Sequence, residues 1–425
     1  MADRSRCHEP GLDPGAQPAE DEPAAMSTTD DSSPIGPEHF GRYRLLERIG
    51  RGGMAEVFKA YIEGFEGYRD PFVIKRIRPE KSDRPDIVEM FCNEARICAL
   101  LAHPNIVEMY DFGQIGGAYF MAMEYLRGRD LAAVMRALRL RLGVVPPRVA
   151  AHVAAEIARG LDHAHRATLA DGRPAEIVHR DVTPSNVMLL AAGGVKVLDF
   201  GIAKAADAAA PTAAPRRGRV KGKLAYLSPE QVRGAEIDAR SDVFSLGVVL
   251  WEMLAGQRLF AGDNEFQTLR NVLTAPVPAP SMKRPEVPAA LDRLVARALA
   301  RDPGARYASA AAFAEEAEAA RGSALDGARG VETLLAELFG AAAAEPRDRV
   351  TAALTAVSLS SLDSEPRPRT TSEERALAEL IATANAAAPS EPPVQDTPRP
   401  RRRLRRVVAV GAAVLVAAAL AFFLR

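Results

Sequence analysis

Glu94 is a carboxylate in an apolar place. The stretch 86–101 has helical spacing, with Ile87, Met90, Phe91, Ile97, Cys98 and Leu101 on one stripe, and Glu94 falls on that stripe, four after Met90 and seven after Ile87. A charge on a buried face is costly unless an opposite charge meets it. Upstream, the strand expected over 72–77 carries Val73, Lys75 and Ile77 on one face, so a lysine stands between two apolar neighbours. Alone, that lysine reads as an amphipathic side chain whose ammonium reaches water. Beside Glu94 the two anomalies explain each other: helix docks on strand, and the pair is buried between them.

The pattern around this pair is two-part. Strands are expected over 43–49, 55–61, 72–77 and 119–125, and from about 127 the spacing turns helical. Short strands return over 187–190 and 195–198, and 243–254 is apolar nearly all round, as a helix at a domain centre would be. Leu291, Leu294, Val295, Ala298 and Leu299 repeat at helical spacing. A strand-rich lobe therefore precedes a helix-rich lobe, an α+β fold over 43–320. A helical extension is expected within 321–342 through Val331, Leu334, Leu335, Leu338 and Phe339.

The flanks differ from this core. Residues 1–40 hold nine Asp/Glu against two Arg and lack periodicity, so they read as a disordered acidic segment, with Met1 and Met26 both open as the start. No apolar run there suggests a signal peptide. The three cysteines, Cys7, Cys92 and Cys98, form no C-x-x-C pair, which fits a reducing compartment better than a disulfide framework. Residues 343–406 read as a flexible Ala/Pro/Ser/Thr-rich linker that ends in an arginine cluster, Arg399, Arg401, Arg402, Arg403, Arg405 and Arg406. The stretch 407–424 carries no charge. At about 1.5 Å per residue it would span roughly 27 Å, close to the apolar thickness of a bilayer. The arginines favour the cytoplasmic side, so a single-pass transmembrane helix in the cell membrane is expected, with the folded region cytoplasmic. The bland alternative is a buried alanine-rich helix.

Three motifs carry chemistry. The first is the loop Ile49-Gly50-Arg51-Gly52-Gly53-Met54-Ala55-Glu56-Val57. Glycines allow a tight turn and let backbone N–H groups approach phosphates. Such hairpins are common, so the loop alone leaves nucleotide binding open; a Walker-type loop is excluded, since no G-K-[ST] follows. The second is His179-Arg180-Asp181-Val182-Thr183-Pro184-Ser185-Asn186, and the third is Asp199-Phe200-Gly201, thirteen residues after Asn186. Two acids and an amide oxygen at strand ends suit a base plus magnesium ligands.

In this combination, order and spacing, the chain resembles the bacterial eukaryotic-like Ser/Thr protein kinases over about 43–320. The resemblance implies the bilobal protein-kinase fold and transfer of the ATP γ-phosphate to protein serine or threonine. It implies that Ile49 to Val57 cover the phosphates, that Val73 lies over adenine, and that Lys75 holds the α- and β-phosphates while pairing with Glu94. Met123 would be the gatekeeper, the backbone of Glu124 and Leu126 would bond adenine, and Asp130 would reach the ribose. Asp181 would orient or deprotonate the hydroxyl, and Asn186 and Asp199 would ligate Mg2+, for which Mn2+ can substitute. Asp242 would anchor the catalytic loop, Glu230 would pair with Arg306, and Cys98, Met109, His179 and Phe200 would form the apolar spine between lobes. Protein substrates, a membrane contact and self-association for trans-autophosphorylation are the expected partners, with no nucleic acid.

The chain departs from that pattern in three places. The third loop glycine is Ala55, tolerable where φ is negative, and Val73 replaces the usual alanine. The larger change is Thr183, where Ser/Thr kinases place a lysine toward the γ-phosphate; the family's partner threonine position, in Gly222-Lys223-Leu224-Ala225-Tyr226, holds Lys223. The expectation is a compensating exchange, with Lys223 reaching toward Asp181 and Thr183 bonding beside it. The exchange also weakens the cue for serine/threonine over tyrosine. Thr212 is the only hydroxyl between Phe200 and Tyr226 and is the candidate phosphorylation site, with Arg180 as its receiver. The basic run Arg216, Arg217, Arg219, Lys221 and Lys223 offers another role, attraction of acidic substrates. The competing functions are a pseudokinase scaffold and a small-molecule phosphotransferase. The complete set Lys75, Glu94, Asp181, Asn186 and Asp199 argues against the first, and Glu230 with Arg306 against the second.

Overall fold

The computed structural model describes residues 38–62, 71–200, 223–321 and 324–340, all within the first of two compact units, Met1–Leu377. The second unit, Ala378–Arg425, lies outside the described residues, as do Thr212, the linker over 343–406 and the expected membrane span over 407–424. Among the described residues no helix is long and apolar enough to cross a membrane.

The first lobe is an antiparallel sheet of six strands: β1 Glu38–Phe40, β2 Tyr43–Arg51, β3 Ala55–Ile62, β4 Phe72–Ile77, β5 Met109–Ile115 and β6 Ala118–Glu124, in the order β1-β2-β3-β4-β6-β5. The helix α1, Pro85–Leu100, starts with proline at its first turn and turns Ile87, Phe91, Glu94 and Ala95 inward. Its apolar face meets Ile49, Val57, Val73, Ile77 and Met121 in one buried cluster.

Two strands of this sheet were not foreseen, nor was the short β-strand at Gly128–Asp130, where helical spacing was expected. Residues 38–40 belong to the stretch read as disordered, yet they pair with β2 through a turn at Gly41, whose φ is +59°. Phe40 lies edge-on to Phe120 at 5.5 Å, and the Arg76 guanidinium lies over both Phe40 and Phe58 while bonding Glu38 at 2.7 Å. One aromatic anchor orders a segment whose average composition is that of a disordered tail. β5 was missed because it is an edge strand of partly buried and exposed residues, broken by Asp111 and Gly113.

The second lobe is helical: α2 Leu131–Leu140, α3 Pro147–His165, α4 Pro229–Arg233, α5 Ala239–Ala255, α6 Glu265–Thr274, α7 Ala289–Ala298, α8 Ala310–Arg321 and α9 Ala324–Phe339. Local chemistry sets several starts. Asp130, Ser228, Asp238 and Asn264 each cap a helix with a side-chain oxygen, and Ser228 forms a reciprocal box with Gln231. α5 is buried continuously from Ser241 to Leu254, which accounts for the all-round apolar pattern over 243–254. A three-stranded sheet, β7 Gly128–Asp130, β8 Val187–Leu190 and β9 Val195–Val197 in that order, holds Asp130 and is flanked by Asn186, just before β8, and Asp199, two residues past β9.

Glu230 on α4 and Arg306 meet as a buried two-pronged pair, at 2.7 and 2.8 Å, with Ser241 Oγ donating to the same carboxylate at 2.5 Å. Burial works against the Glu230 charge, but Arg306 and Ser241 hold its carboxyl below the ordinary 4.5. The stabilisation is therefore complete above the unfolded value and is lost as pH falls through the lower folded one. Glu230→Ala leaves Arg306 buried without its counter-charge and is expected to destabilise the fold by roughly 3–5 kcal/mol, read as a lower denaturation midpoint. A midpoint equal to wild type would contradict this reading.

Candidate active site

Lys75 on β4 stands opposite Val57 of β3 and Met121 of β6, with its side chain 2% exposed. Its Nζ donates to Glu94 Oε1 at 2.5 Å and to Asp199 Oδ1 at 3.3 Å. Burial pulls the lysine toward neutrality, yet the charges of Asp199 and Glu94 outweigh it and raise the pKa above the usual value. Burial also raises the Glu94 carboxyl, against the pull of Lys75. One ammonium thus ties β4, α1 and the Asp-Phe-Gly segment together, and the pairing of Lys75 with Glu94 expected from sequence is present.

The catalytic loop hangs from α5. Asp242 is fully buried and accepts from the backbone N–H groups of His179 and Arg180, both at 2.8 Å, while His165 Nε2 lies 2.8 Å from its carboxylate. Burial opposes the Asp242 charge, but His165, His179 and these donors hold its pKa below the ordinary value. The anchoring matters because Arg180 and Asp199 are non-glycine residues with φ of +64° and +46°. The His179 ring packs on Phe200 at 4.7 Å, so these two spine positions touch. Met109 packs against the first-lobe cluster, and burial lifts the Cys98 thiol to about 12.

Asp181 is 8% exposed and its Oδ2 accepts from two donors, Lys223 Nζ at 2.7 Å and Asn186 Nδ2 at 3.2 Å. Lys223 heads the short turn Leu224–Tyr226, which α5 holds through Ser245 Oγ on the Tyr226 carbonyl and Glu252 on the Tyr226 hydroxyl. The lysine half of the expected exchange is thus in place. The threonine half differs: Thr183 Oγ1 is buried and has no hydrogen-bond partner among the described residues.

Asn186 Oδ1 and Asp199 Oδ2 are likewise buried acceptors without partners among the described residues. Oxygen acceptors of this kind suit Mg2+, which takes one or two protein oxygens and completes its shell with phosphate and water. Among the described residues no group of three or more His, Cys, Asp or Glu is placed to hold a metal.

On the nucleotide side, Gly52 N donates to the Ala55 carbonyl at 2.8 Å to close the loop, and Ala55 is not among the positive-φ residues, so its methyl group is unstrained. Ile49, Met54, Val57 and Val73 are buried, and Met123 pairs with Val73 across the sheet. The Glu124 N–H, one of the backbone groups expected to bond adenine, donates to the Glu108 carbonyl at 3.0 Å. The Glu124 carboxylate accepts from Lys196 on β9 and from Glu108 N, a tie between the lobes that the sequence reading missed. His165 was missed too; its position at the end of α3, fourteen before His179, carries no motif. Asp130 is 4% exposed, with Oδ1 accepting from Ala133 N at 2.7 Å.

A sequence model of the protein kinase domain matches residues 43–317. The chain is 43% identical over 279 residues to the tyrosine-protein kinase MasK of Myxococcus xanthus, covering 66% of this chain and 43% of that protein. It is 36% identical over 293 residues to the serine/threonine-protein kinase PknA of Mycobacterium tuberculosis (68% and 63% covered), and 35% identical over 276 residues to PrkC of Bacillus subtilis (65% and 40%). This chain therefore spans less than two thirds of each relative's length. A crystal structure of the M. tuberculosis PknI kinase domain aligns with TM-score 0.50 and 27% identity, covering 68% of this chain and 99% of that one.

Proposed function

The chain belongs to the protein kinase family, and from that premise we propose that it transfers the γ-phosphate of ATP to serine or threonine of protein substrates. The observation that carries this is Lys75 bridging Glu94 and Asp199, which assembles both lobes around one cleft. Phosphoryl transfer passes through a loose transition state with negative charge spread over the oxygens, so positioning and cations do most of the work. Lys75 grips the α- and β-phosphates. Asp181 receives or orients the incoming hydroxyl, and Lys223, 2.7 Å from it, stands where a cation meets the γ-phosphate. Asn186 and Asp199 would offer magnesium the oxygens that are unpartnered among the described residues, and the metal would neutralise phosphate charge.

A tyrosine-directed reading comes second. It is favoured by Thr183 in place of the lysine that marks Ser/Thr kinases, and by the 43% identity to a protein named as a tyrosine kinase. Relatives named serine/threonine kinases, at 36% and 35% identity, support the first reading. The uncharged stretch 407–424 behind its arginines supports a membrane anchor, cytoplasmic placement and encounters between copies for autophosphorylation, all of which rest on sequence.

The test is to incubate the full chain with Mg2+ and γ-labelled ATP, hydrolyse the labelled protein and separate the phosphoamino acids. Phosphoserine or phosphothreonine is the expected product. Phosphotyrosine alone would replace the first reading with the second, and bound ATP without any transfer would leave a scaffold.

A further inference from the structure

The family match ends at residue 317, yet α9 folds onto the domain beyond it. It buries Val331, Leu334, Leu335 and Leu338 and packs against α2, α3, α8 and β8. The approach is close. A Cβ at Gly327 would lie 2.5 Å from His152 Cγ, and one at Gly330 would lie 2.6 Å from Val149 Cγ2. From the facing side, a Cβ at Gly193 would lie 2.5 Å from the Ala328 carbonyl.

The end of α9 is gripped by two arginines that flank α2. Arg141, just past α2, donates to the carbonyls of Glu337 and Leu338 at 2.9 and 3.0 Å. Arg129, in β7 just before α2, is 2% exposed and lies 5.3 Å from the centre of the Phe339 ring. The ring face adds to the bond that Arg129 Nη1 donates to the Gly128 carbonyl at 2.9 Å. The next residue is Asp130, which caps α2 and pairs with Met188 of β8. β7 has no slack there: a Cβ at Gly128 would lie 2.0 Å from the Leu189 carbonyl.

We propose that α9 positions the nucleotide: Phe339 on Arg129, with the last carbonyls on Arg141, fixes β7 and α2 and thereby sets Asp130 for the ribose of ATP. The proposal rests on the reading that Asp130 meets the ribose. It makes Phe339 a positioning residue that acts through Arg129, more than two hundred positions away in sequence. Plain scaffolding would instead cost stability without regard to which nucleotide is bound.

The experiment uses the full chain as wild type, Phe339→Ala and Phe339→Trp, with KM and kcat measured for ATP and for 2′,3′-dideoxy-ATP. Phe339→Ala should raise the ATP KM about fivefold, less than the full worth of a desolvated cation–π contact because it acts on the nucleotide only through Arg129, with kcat at saturation within about twofold. The KM for the dideoxy analogue should stay near the wild-type value, and Phe339→Trp, which keeps an aromatic face, should restore the ATP KM. Equal rises for both nucleotides, or a lower kcat with KM unchanged, would overturn the proposal and leave α9 as scaffold. A wild type that does not distinguish ATP from the analogue would overturn the ribose reading at Asp130, and the proposal with it.

Discussion

Asp181→Asn is expected to lower kcat about 10³-fold, within the usual range for a lost general base, while ATP affinity stays within about twofold. Among the described residues the carboxylate is the acid that faces both Lys223, at 2.7 Å, and Asn186, at 3.2 Å, on a loop whose backbone is pinned by Asp242. Asparagine keeps the shape and the packing. It removes the proton acceptor and the charge that holds the Lys223 ammonium. Lys75, to which the proposed function gives the phosphates, bonds Glu94 and Asp199 and does not touch Asp181 in any of these contacts, so nucleotide binding should survive. A kcat within tenfold of wild type would mean that Asp181 neither accepts nor orients the hydroxyl.

Lys223→Ala should cost about 10²-fold in kcat, as the loss of one preorganised donor to transition-state charge does in other enzymes. Lys223 is 8% exposed and seated at the head of a buried turn, so its ammonium is held in place against Asp181, where the proposed function needs a cation. A solvated lysine would show neither feature. Arg219→Ala, in the same basic run by sequence, should change kcat by less than about twofold if that run acts only through its total charge. Equal, small losses in the two variants would show that Lys223 only adds to the charge of the segment.

Much of this site was legible because the rare feature was electrostatic. A carboxylate on an apolar helical stripe and a lysine on an apolar strand face have few solutions, and the structure closes them at 2.5 Å. The motifs at 179–186 and 199–201 placed the loop acids, and the swap of residue types at 183 and 223 pointed to the contact between Lys223 and Asp181. What the sequence did not carry were contacts without periodicity. β1 is ordered by one ring, Phe40, that composition averaged over forty residues concealed. The tie from Lys196 to Glu124 joins residues that each look like ordinary surface charges. Arg129 reads as a loop arginine until α9 brings Phe339 over it. Lys223 meets Asp181 as expected, but Thr183, expected to bond beside it, has a hydroxyl that lies buried and unpartnered among the described residues.

The most direct measurement is kcat of the reciprocal double variant, Thr183→Lys with Lys223→Thr, beside the single Lys223→Thr. If a cation beside Asp181 is what the reaction needs, the single change loses most of the activity and the double change, which returns the lysine from the loop side, recovers most of it. A double variant no more active than the single one would contradict the exchange.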